Sequence, residues 1–398
     1  MTLAALVLLL QAADPAGFGL DVHPVEPPAG SAGGAWPSFA ATAGGPPLLV
    51  WTAETDAGHA LRGSILNGSE WSEPTTLAAG ERWFVNWADF PQVARDAGGR
   101  TLVTWLQQAE SGPAYAYHVR WRLLDPLGQE LGSGLLHDDD SPTEHGFVAL
   151  TPRHGSGFLA VWLDGRAHAE AGQQLRARVV LADGRLEPEA VLDDRTCDCC
   201  QTDLVPLPGG GYLAAWRDRD PDEVRDVAVA RLGPDGPGEP TFPAADGWVM
   251  PACPVNGPAL AVAADGRTAL CWFTGAPGPR VRLAVAEADG SAWGPALRVD
   301  EGHTLGRVEA RFDRHGRLLL VWLEERDAGP EWRIRTWTAD EGLGPTRALA
   351  PARRGRGSGF PRAVAVDDGW LVTWQGEHGP AAAHVTLQRG ASAAARPH

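Results

Sequence analysis

The sequence predicts an all-β protein, folded as a single propeller of seven blades. Three observations predict it. A short apolar segment ending in Trp recurs every 50–57 residues. Each repeat holds four short strand-like segments separated by Gly, Asp and Pro, and no window shows sustained helical periodicity. Four strands in a repeat of this length are typical of a propeller blade. The landmark residues are Trp51, Trp105, Trp162, Trp216, Trp272, Trp322 and Trp374.

The strands of the third repeat illustrate the pattern. They are predicted at 147–150, 158–162 and 175–180, with the fourth near 191–192. The last repeat ends after its third strand, at 383–387, whereas an extra strand at 19–25 precedes the first blade. Pairing these two would complete the seventh blade and cover an open sheet edge. The sequence therefore predicts closure of the ring by an N-terminal strand.

The two chain ends are expected to lie outside the propeller domain, which spans 17–390. Residues 1–16 contain an apolar run followed by small residues, as a signal peptide does, although the positive n-region is incomplete. The run is too short to span a bilayer. We therefore expect an exported monomer, periplasmic or secreted, with a disordered tail at 391–398. The net charge of -16 argues against nucleic acid or an anionic membrane as partner.

Hairpin turns between third and fourth strands carry a family resemblance. Asn67-Gly68 and Asp289-Gly290, with weaker copies at 183–184 and 235–236, resemble degenerate Asp-boxes of the sialidase-like propellers. The segments DRTCDCCQT and ACPVNGPAL resemble, more narrowly, a group of exported bacterial sialidase-like proteins with a cysteine motif. The resemblance implies the propeller fold. Ordinary sialidases have six blades, so six is the alternative to the seven counted here.

The repeat brings cysteines and a histidine into equivalent positions. Cys197, Cys253 and His303 each stand 19 residues before their landmark Trp, in loops that enter the first strands of consecutive blades. These loops are expected to share one mouth of the central channel. Thiolates, an imidazole and the thioether of Met250 together suit Cu(I). Without the thioether, the same ligands suit Zn(II). The predicted metal ligands are Cys197, Cys199, Cys200, Met250, Cys253 and His303.

Other interpretations of the cysteines stay open. A disulfide between Cys197 and Cys253 would staple adjacent blades of an exported protein. A bridge between Cys199 and Cys200 would be strained, and a redox-active thiol pair is a third alternative. Cys271 is interpreted as a core residue and His145 as a solvated one.

Charged residues on the same face indicate a second kind of site. By resemblance to the sialidase arginine triad, converging arginines would clamp a carboxylate, and a nearby acid would serve in proton transfer. Alternatively, these residues solvate loop ends and pair with one another. The candidate catalytic residues are Arg166, Asp218, Arg219, Arg225, Asp226 and Arg326.

A sialidase also needs a Tyr nucleophile with a Glu partner. Tyr212 falls in a second strand, and Tyr115 and Tyr117 fall in a predicted loop of the second blade, far in the repeat from the later arginines. Sialoside hydrolysis is therefore not expected. The leading interpretation is a binding protein for a soft metal, another small ligand or another exported protein. The alternatives are a glycoside hydrolase acting on an anionic sugar and a disulfide-braced interaction scaffold.

Overall fold

The computed structural model describes residues 19–42, 44–169, 172–234, 236–287 and 290–388. Within these residues the strands form seven sheets arranged as the blades of a propeller, which confirms the predicted fold class. The predicted signal peptide, the tail at 391–398 and the turn residues Asp235 and Asp289 lie outside the described residues. Among the described residues, no helix has the length and apolar character needed to span a bilayer.

Strands of the first two blades follow the N-terminal strand β1. They are joined by a short parallel pairing between β3 and β8. The bounds are β1 Gly19–Val25, β2 Ala35–Phe39, β3 Ala41–Thr42, β4 Leu48–Thr55, β5 Gly58–Asn67, β6 Glu70–Trp71, β7 Thr75–Gly80, β8 Gln92–Arg95, β9 Thr101–Gln108, β10 Tyr117–Leu124 and β11 Glu130–Leu135.

Blades three and four each contain four consecutive antiparallel strands. The strands of the third blade lie where the sequence predicted them. The bounds are β12 His145–Pro152, β13 Phe158–Asp164, β14 Gln173–Val180, β15 Ala190–Thr196, β16 Asp203–Pro206, β17 Tyr212–Arg217, β18 Val227–Gly233 and β19 Gly236–Pro237.

The last three blades contain the remaining strands and a 3-10 turn at Gly355–Ser358. The bounds are β20 Ala259–Val262, β21 Thr268–Thr274, β22 Arg280–Ala286, β23 Leu297–Arg298, β24 Thr304–Phe312, β25 Leu318–Arg326, β26 Gly329–Thr338, β27 Gly342–Leu343, β28 Arg347–Pro351, β29 Arg362–Val366, β30 Gly369–Gln375 and β31 Pro380–Gln388.

The N-terminal strand closes the ring as predicted. β1 pairs antiparallel with β31 from Gly19 opposite Gln388 to Val25 opposite Ala382. The sheet order is β1, β31, β30 and β29, so the first strand of the chain is the outer strand of the seventh blade. Leu20 is buried there among residues of blades six and seven. The pairing covers an edge that would otherwise be open.

The landmark Trp residues form the core between blades. Each lies in the second strand of its blade, and none is more than 9% exposed. The first strands of neighbouring blades contact one another around the ring. They surround a central cavity of about 400 Å³, whose polar lining includes Asp89, Gln201, Glu309, Arg311 and Arg362. Loops that enter the first strands therefore lie at one mouth of this channel.

Candidate functional site

Four cysteines meet where the chain enters the fourth blade. The segment 197–200 lies between β15 and β16, in the loop where the repeat placed it. Cys197 and Cys200 are buried, at 1% and 2% exposure, whereas Cys199 is half-buried. Cys253 is exposed in the equivalent loop of the fifth blade. The loop thus turns two thiols inward and one sulfur outward.

A disulfide joins the two loops, but its pairing differs from the predicted staple. Cys199 bonds to Cys253, with a Cα–Cα distance of 5.9 Å, while Cys197 and Cys200 are free. The common offset from Trp aligned Cys197 with Cys253 along the chain but did not define the direction of their side chains. The tight turn at 197–200 buries Cys197 and presents Cys199 instead. The alternative bridge between Cys199 and Cys200 is likewise not formed.

The two free thiols of the loop are in contact. The Cys197 and Cys200 sulfurs are 3.1 Å apart, and the Cys197 and Cys199 sulfurs are 4.0 Å apart. A ligand atom from each of these three cysteines lies within 4.8 Å of the other two. Since a disulfide sulfur is not a thiolate, Cys197 and Cys200 are the sulfur ligands available while the bridge is intact.

Two arginines surround the buried thiols. Arg225 Nη1 donates to Cys197 Sγ at 3.1 Å. Arg217 is 2% exposed, and its guanidinium donates to the carbonyl oxygens of Arg225, Asn256 and Phe273 at 2.6–2.9 Å. These acceptors are neutral, so in the part of the chain that the structure describes the positive charge of Arg217 is buried without a carboxylate among its hydrogen-bond partners. A thiolate at Cys197 supplies compensating negative charge.

This environment gives the thiols of Cys197 and Cys200 different pKa values. Burial alone would raise the pKa of Cys197. A hydrogen bond from Cys200, another from the Cys199 backbone and the charges of Arg217 and Arg225 outweigh burial and lower the Cys197 pKa to about 6. Burial, the hydrogen bond to Cys197 and the negative charge of that thiolate raise the pKa of Cys200 well above its usual range. The lowered pKa of Cys197 and the raised pKa of Cys200 favour one thiolate and one thiol at neutral pH.

The second cysteine segment braces the first through Asn256. The Asn256 backbone N–H donates to Cys200 Sγ at 3.4 Å, and its side-chain oxygen accepts from the Arg307 backbone N–H at 2.7 Å. Its side-chain amide donates to the carbonyls of Pro254 and Leu305 at 3.1 and 3.4 Å. Asn256 therefore links the entrance loops of blades four, five and six.

Gly257, the next residue of the same segment, lies against the backbone of the first cysteine loop. A Cβ atom there would lie 2.1 Å from the Gln201 carbonyl oxygen, a backbone atom that cannot move aside cheaply. The Gly257 N–H also donates to the Gln201 side chain at 3.2 Å. Only glycine permits this close approach of the two loops. The Asn-Gly pair of the segment therefore has a packing role beside the cysteines.

The remaining predicted metal ligands, His303 and Met250, lie in the expected loops. His303 is exposed, and its carbonyl accepts from the Glu325 N–H at 3.0 Å. Among the described residues, the cysteine group of close ligand atoms contains Cys197, Cys199 and Cys200 but not His303. Met250 is half-buried, and its N–H donates to the Glu223 carbonyl at 2.9 Å. An equal offset places residues in equivalent loops but does not orient their side chains.

The candidate catalytic arginines are engaged by carboxylates of their own surroundings. This arrangement matches the alternative in which arginines and acids pair with each other. Arg326 is the most exposed, with 47% of its side chain accessible. The partners are Asp164 and Glu189 for Arg166, Asp198 and Glu223 for Arg219, Glu223 for Arg225 and Glu324 for Arg326.

The two candidate acids have different environments. Burial and the neighbouring negative charge of Asp193 raise the pKa of Asp218. Asp226 is buried and accepts from the backbone N–H groups of Gly247 and Trp248 at 2.9 and 3.2 Å. Asp226 therefore anchors the loop that leads to Cys253, while Asp218 belongs to a carboxyl pair.

A Tyr–Glu pair exists that the sequence analysis did not find. Tyr117 lies in strand β10 rather than in a loop, and its hydroxyl donates to Glu144 Oε1 at 2.5 Å, with Asp89 Oδ2 at 3.4 Å. The interpretation that no Tyr is placed beside a Glu was wrong, because the pair joins a third strand to the entrance loop of the next blade. Tyr117 is 1% exposed and stacks on Phe84 with centroids 4.3 Å apart.

The acidity of this pair is unfavourable for a nucleophile. Burial, followed by the charges of Asp89 and Glu144, raises the Tyr117 pKa well above its usual range. Burial also raises the pKa of Asp89 to about 8 and that of Glu144 to about 7. A phenol that is buried from solvent and has a raised pKa does not form a phenolate readily. The pair is therefore a buried hydrogen-bond network in this structure.

Comparisons with known proteins identify the fold. No family model and no curated protein sequence matches the chain. The BP39L lectin from Burkholderia pseudomallei aligns with a TM-score of 0.61 and 12% identity, covering 89% of this chain and 96% of that chain. A protein of unknown function from Dyadobacter fermentans aligns with a TM-score of 0.51 and 12% identity, covering 75% and 94%.

A sialidase is also among the similar structures. The Hadza microbial sialidase Hz136 aligns with a TM-score of 0.47 and 11% identity, covering 84% of this chain and 74% of that chain. At such identities the likenesses concern the propeller fold alone, because one fold supports many activities. The chemistry of this chain must be argued from its own residues.

Proposed function

We propose that this protein binds a thiophilic metal ion, with Cu(I) the favoured ion and Zn(II) the alternative, at Cys197 and Cys200. The observation that supports the proposal is the buried pair of free thiols 3.1 Å apart, with a third cysteine sulfur 4.0 Å away. Thiolates select soft metals such as Cu(I). A Zn–S bond is about 2.3 Å long, so two sulfurs on one ion lie at most about 4.6 Å apart. Both separations fall within this limit.

The charges around the thiols favour a monovalent ion. Cu(I) held by two thiolates is an anionic complex with one negative charge. Arg225 donates directly to Cys197, and Arg217 is buried behind the loop. An anionic complex would compensate these cations, whereas Zn(II) with the same two thiolates would be neutral. The arginines therefore argue for Cu(I) while the disulfide is intact.

The Cys199–Cys253 disulfide would control the number of ligands. Its two sulfurs cannot act as thiolates in the oxidised protein. Reduction would add Cys199, already 4.0 Å from Cys197, and Cys253 beside it. The reduced protein would then offer up to four thiolates, a set that also suits Zn(II). This proposal includes export from the cytoplasm, since disulfides persist in oxidising compartments and residues 2–10 are apolar.

A competition titration tests metal binding. Protein with the disulfide intact, as verified by mass spectrometry, is titrated with Cu(I) under argon against a chromogenic Cu(I) chelator. We expect one Cu(I) per chain for the wild type and loss of that equivalent in C197S and C200S. C271S is the matched control, because Cys271 is a buried core thiol of strand β21. Equal binding by C197S and the wild type would overturn the proposal.

A second candidate function is thiol–disulfide exchange within the same loop. The Cys197 thiolate lies 4.0 Å from Cys199 Sγ. Attack would form a Cys197–Cys199 bond, break the Cys199–Cys253 bond and release the exposed Cys253 as a thiolate, with no external oxidant. Low thiol pKa and an exposed leaving group favour this step. Alkylation of the metal-free protein followed by peptide mapping should then label Cys253 in the wild type and not in C197S. No label on Cys253 in either protein would exclude the exchange.

A further inference from the structure

A cluster of histidine and aspartate side chains lies between blades two and three, apart from the cysteines. His118 belongs to strand β10, His137 follows β11, and His145 begins β12. His145 is fully buried, so its interpretation as a solvated residue was wrong. It lies opposite Asp164 in the pairing of β12 with β13, and the loop between His137 and His145 adds Asp139.

The hydrogen bonds of His145 define a place for a cation. Its Nδ1 lies 3.3 Å from the Tyr117 carbonyl oxygen, which can only accept, so the tautomer with a proton on Nδ1 satisfies this contact. The lone pair of Nε2 then faces Asp139 Oδ2 at 2.9 Å and Asp164 Oδ1 at 3.7 Å. Each carboxylate also accepts a hydrogen bond from its surroundings: Arg166 Nε donates to Asp164 Oδ1 at 2.7 Å, and the Ser141 hydroxyl donates to Asp139 Oδ2 at 2.5 Å. A metal ion at this point would be within bonding reach of all three ligand atoms.

The neighbouring histidines bring further ring nitrogen atoms close to His145. His137 stacks on His145 with centroids 3.8 Å apart, and His118 lies 5.4 Å from His145. The Nδ1 atom of His118 is buried and has no hydrogen-bond partner among the described residues, whereas His137 Nε2 accepts from the Val119 backbone N–H at 3.3 Å. Unpartnered buried nitrogen atoms are costly. A ligand atom from each histidine lies within 4.8 Å of the other two.

We propose that His145, Asp139 and Asp164 hold a divalent transition-metal ion of the Zn(II) class, with His118 as the adjacent fourth donor. Zn–N and Zn–O bonds are about 2.0–2.2 Å long, so two ligand atoms on one ion lie at most about 4.4 Å apart. The distances of 2.9 and 3.7 Å from His145 Nε2 meet this limit. The Nδ1 contact with a backbone carbonyl is the outer-shell arrangement usual for a metal-bound histidine.

The surrounding charges can accommodate the ion. Arg166 pairs with Asp164 at 2.7 Å, but it also pairs with Glu189 at 3.0 Å. Glu189 therefore keeps Arg166 compensated when Asp164 binds a metal. Rings stacked in parallel, as His137 and His145 are, cannot both point their lone pairs at one ion. His137 is for this reason a neighbour of the site and not one of its ligands.

Zinc titration of the C197S/C200S variant tests this site independently of the proposed cysteine function. Calorimetry should show one Zn(II) per chain. D139N and H145Q in that background should weaken binding at least about 100-fold, since even outer-shell changes cost about 10–100-fold. H154A, which changes an exposed histidine of the third blade, is the matched control and should bind normally. Circular dichroism verifies that each variant is folded. If H145Q does not fold, the result for D139N decides the test.

The spectrum of the Co(II)-substituted protein gives a second readout. Nitrogen and oxygen ligands should produce visible d–d bands without sulfur-to-cobalt charge transfer. Absence of stoichiometric Zn(II), or equal binding by D139N and its parent, would overturn the proposal. In a variant that retains Cys197, sulfur-to-cobalt charge transfer would come from the cysteine site. The spectrum of the C197S/C200S variant therefore decides the test.

Discussion

Arg225 Nη1 lies 3.1 Å from the sulfur of Cys197, in a place where neither group meets bulk water. A guanidinium group and a thiolate in this position compensate each other's burial. Arg225 is in turn held by Glu223 at 2.8 Å. This contact stabilises the thiolate form of Cys197 and lowers its pKa.

Thiolate absorbance near 240 nm should report an acidic thiol. With the disulfide intact and metal removed, one thiolate should titrate with a midpoint near pH 6, because the Cys197 pKa is about 6. R225Q should move the midpoint upward, and C197S should remove it. C271S is the control and should not change the curve, since burial raises the Cys271 pKa. A wild-type midpoint near 8.5, the ordinary Cys value, would contradict the account.

The same pKa predicts how stability changes with pH. The folded pKa of Cys197 is depressed, so its contribution is present above the unfolded value of about 8.5 and is lost as pH falls through about 6. The difference in unfolding free energy between wild type and C197S should therefore shrink on acidification, by on the order of 3 kcal/mol. Denaturant titrations of both proteins at pH 9 and pH 5.5 measure it. A constant or growing difference would be inconsistent with a native thiolate.

Closure of the ring should depend on Leu20. This residue is 6% exposed in β1 and packs among residues of the last two blades. L20A should lower the free energy of unfolding by about 2–4 kcal/mol. H23A, which alters an exposed residue of the same strand, should have little effect. Equal melting temperatures for L20A and the wild type would show that the strand does not contribute to the seventh blade.

The contact between the two cysteine segments should be sensitive to Gly257. A methyl group there would meet the Gln201 backbone, so G257A should destabilise the protein by about 2–3 kcal/mol and disturb the thiols beside it. G209A is the control, because a Cβ at Gly209 meets nothing within 4 Å. Thermal melting and thiol titration measure both effects. A G257A protein as stable as G209A would mean that the loops are not packed this closely.

Sialoside hydrolysis is expected to be absent. Tyr117 is buried with a raised pKa, and the arginines are paired with carboxylates. A fluorogenic sialoside should therefore give no turnover above that of the Y117F variant. Turnover that Y117F abolishes would restore the glycosidase alternative.

The fold could be predicted from the sequence because its signals are periodic. Each Trp marks a buried second strand, and the missing last strand indicated the partner of residues 19–25. The identity of the disulfide could not be predicted, because an offset from Trp locates Cys197 along the chain without showing that its sulfur turns inward. The cluster at His145 and the pair of Tyr117 with Glu144 join different blades. Their residues have no common offset, so only the packing of blade two against blade three brings them together.

Copper X-ray absorption on the Cu(I)-loaded protein with its disulfide intact tests the central claim most directly. The proposal predicts a first shell of two sulfur atoms in the wild type and its loss in C197S. The C271S control should keep the sulfur shell. A first shell of nitrogen or oxygen in the wild type, or an unchanged sulfur shell in C197S, would contradict binding at Cys197 and Cys200.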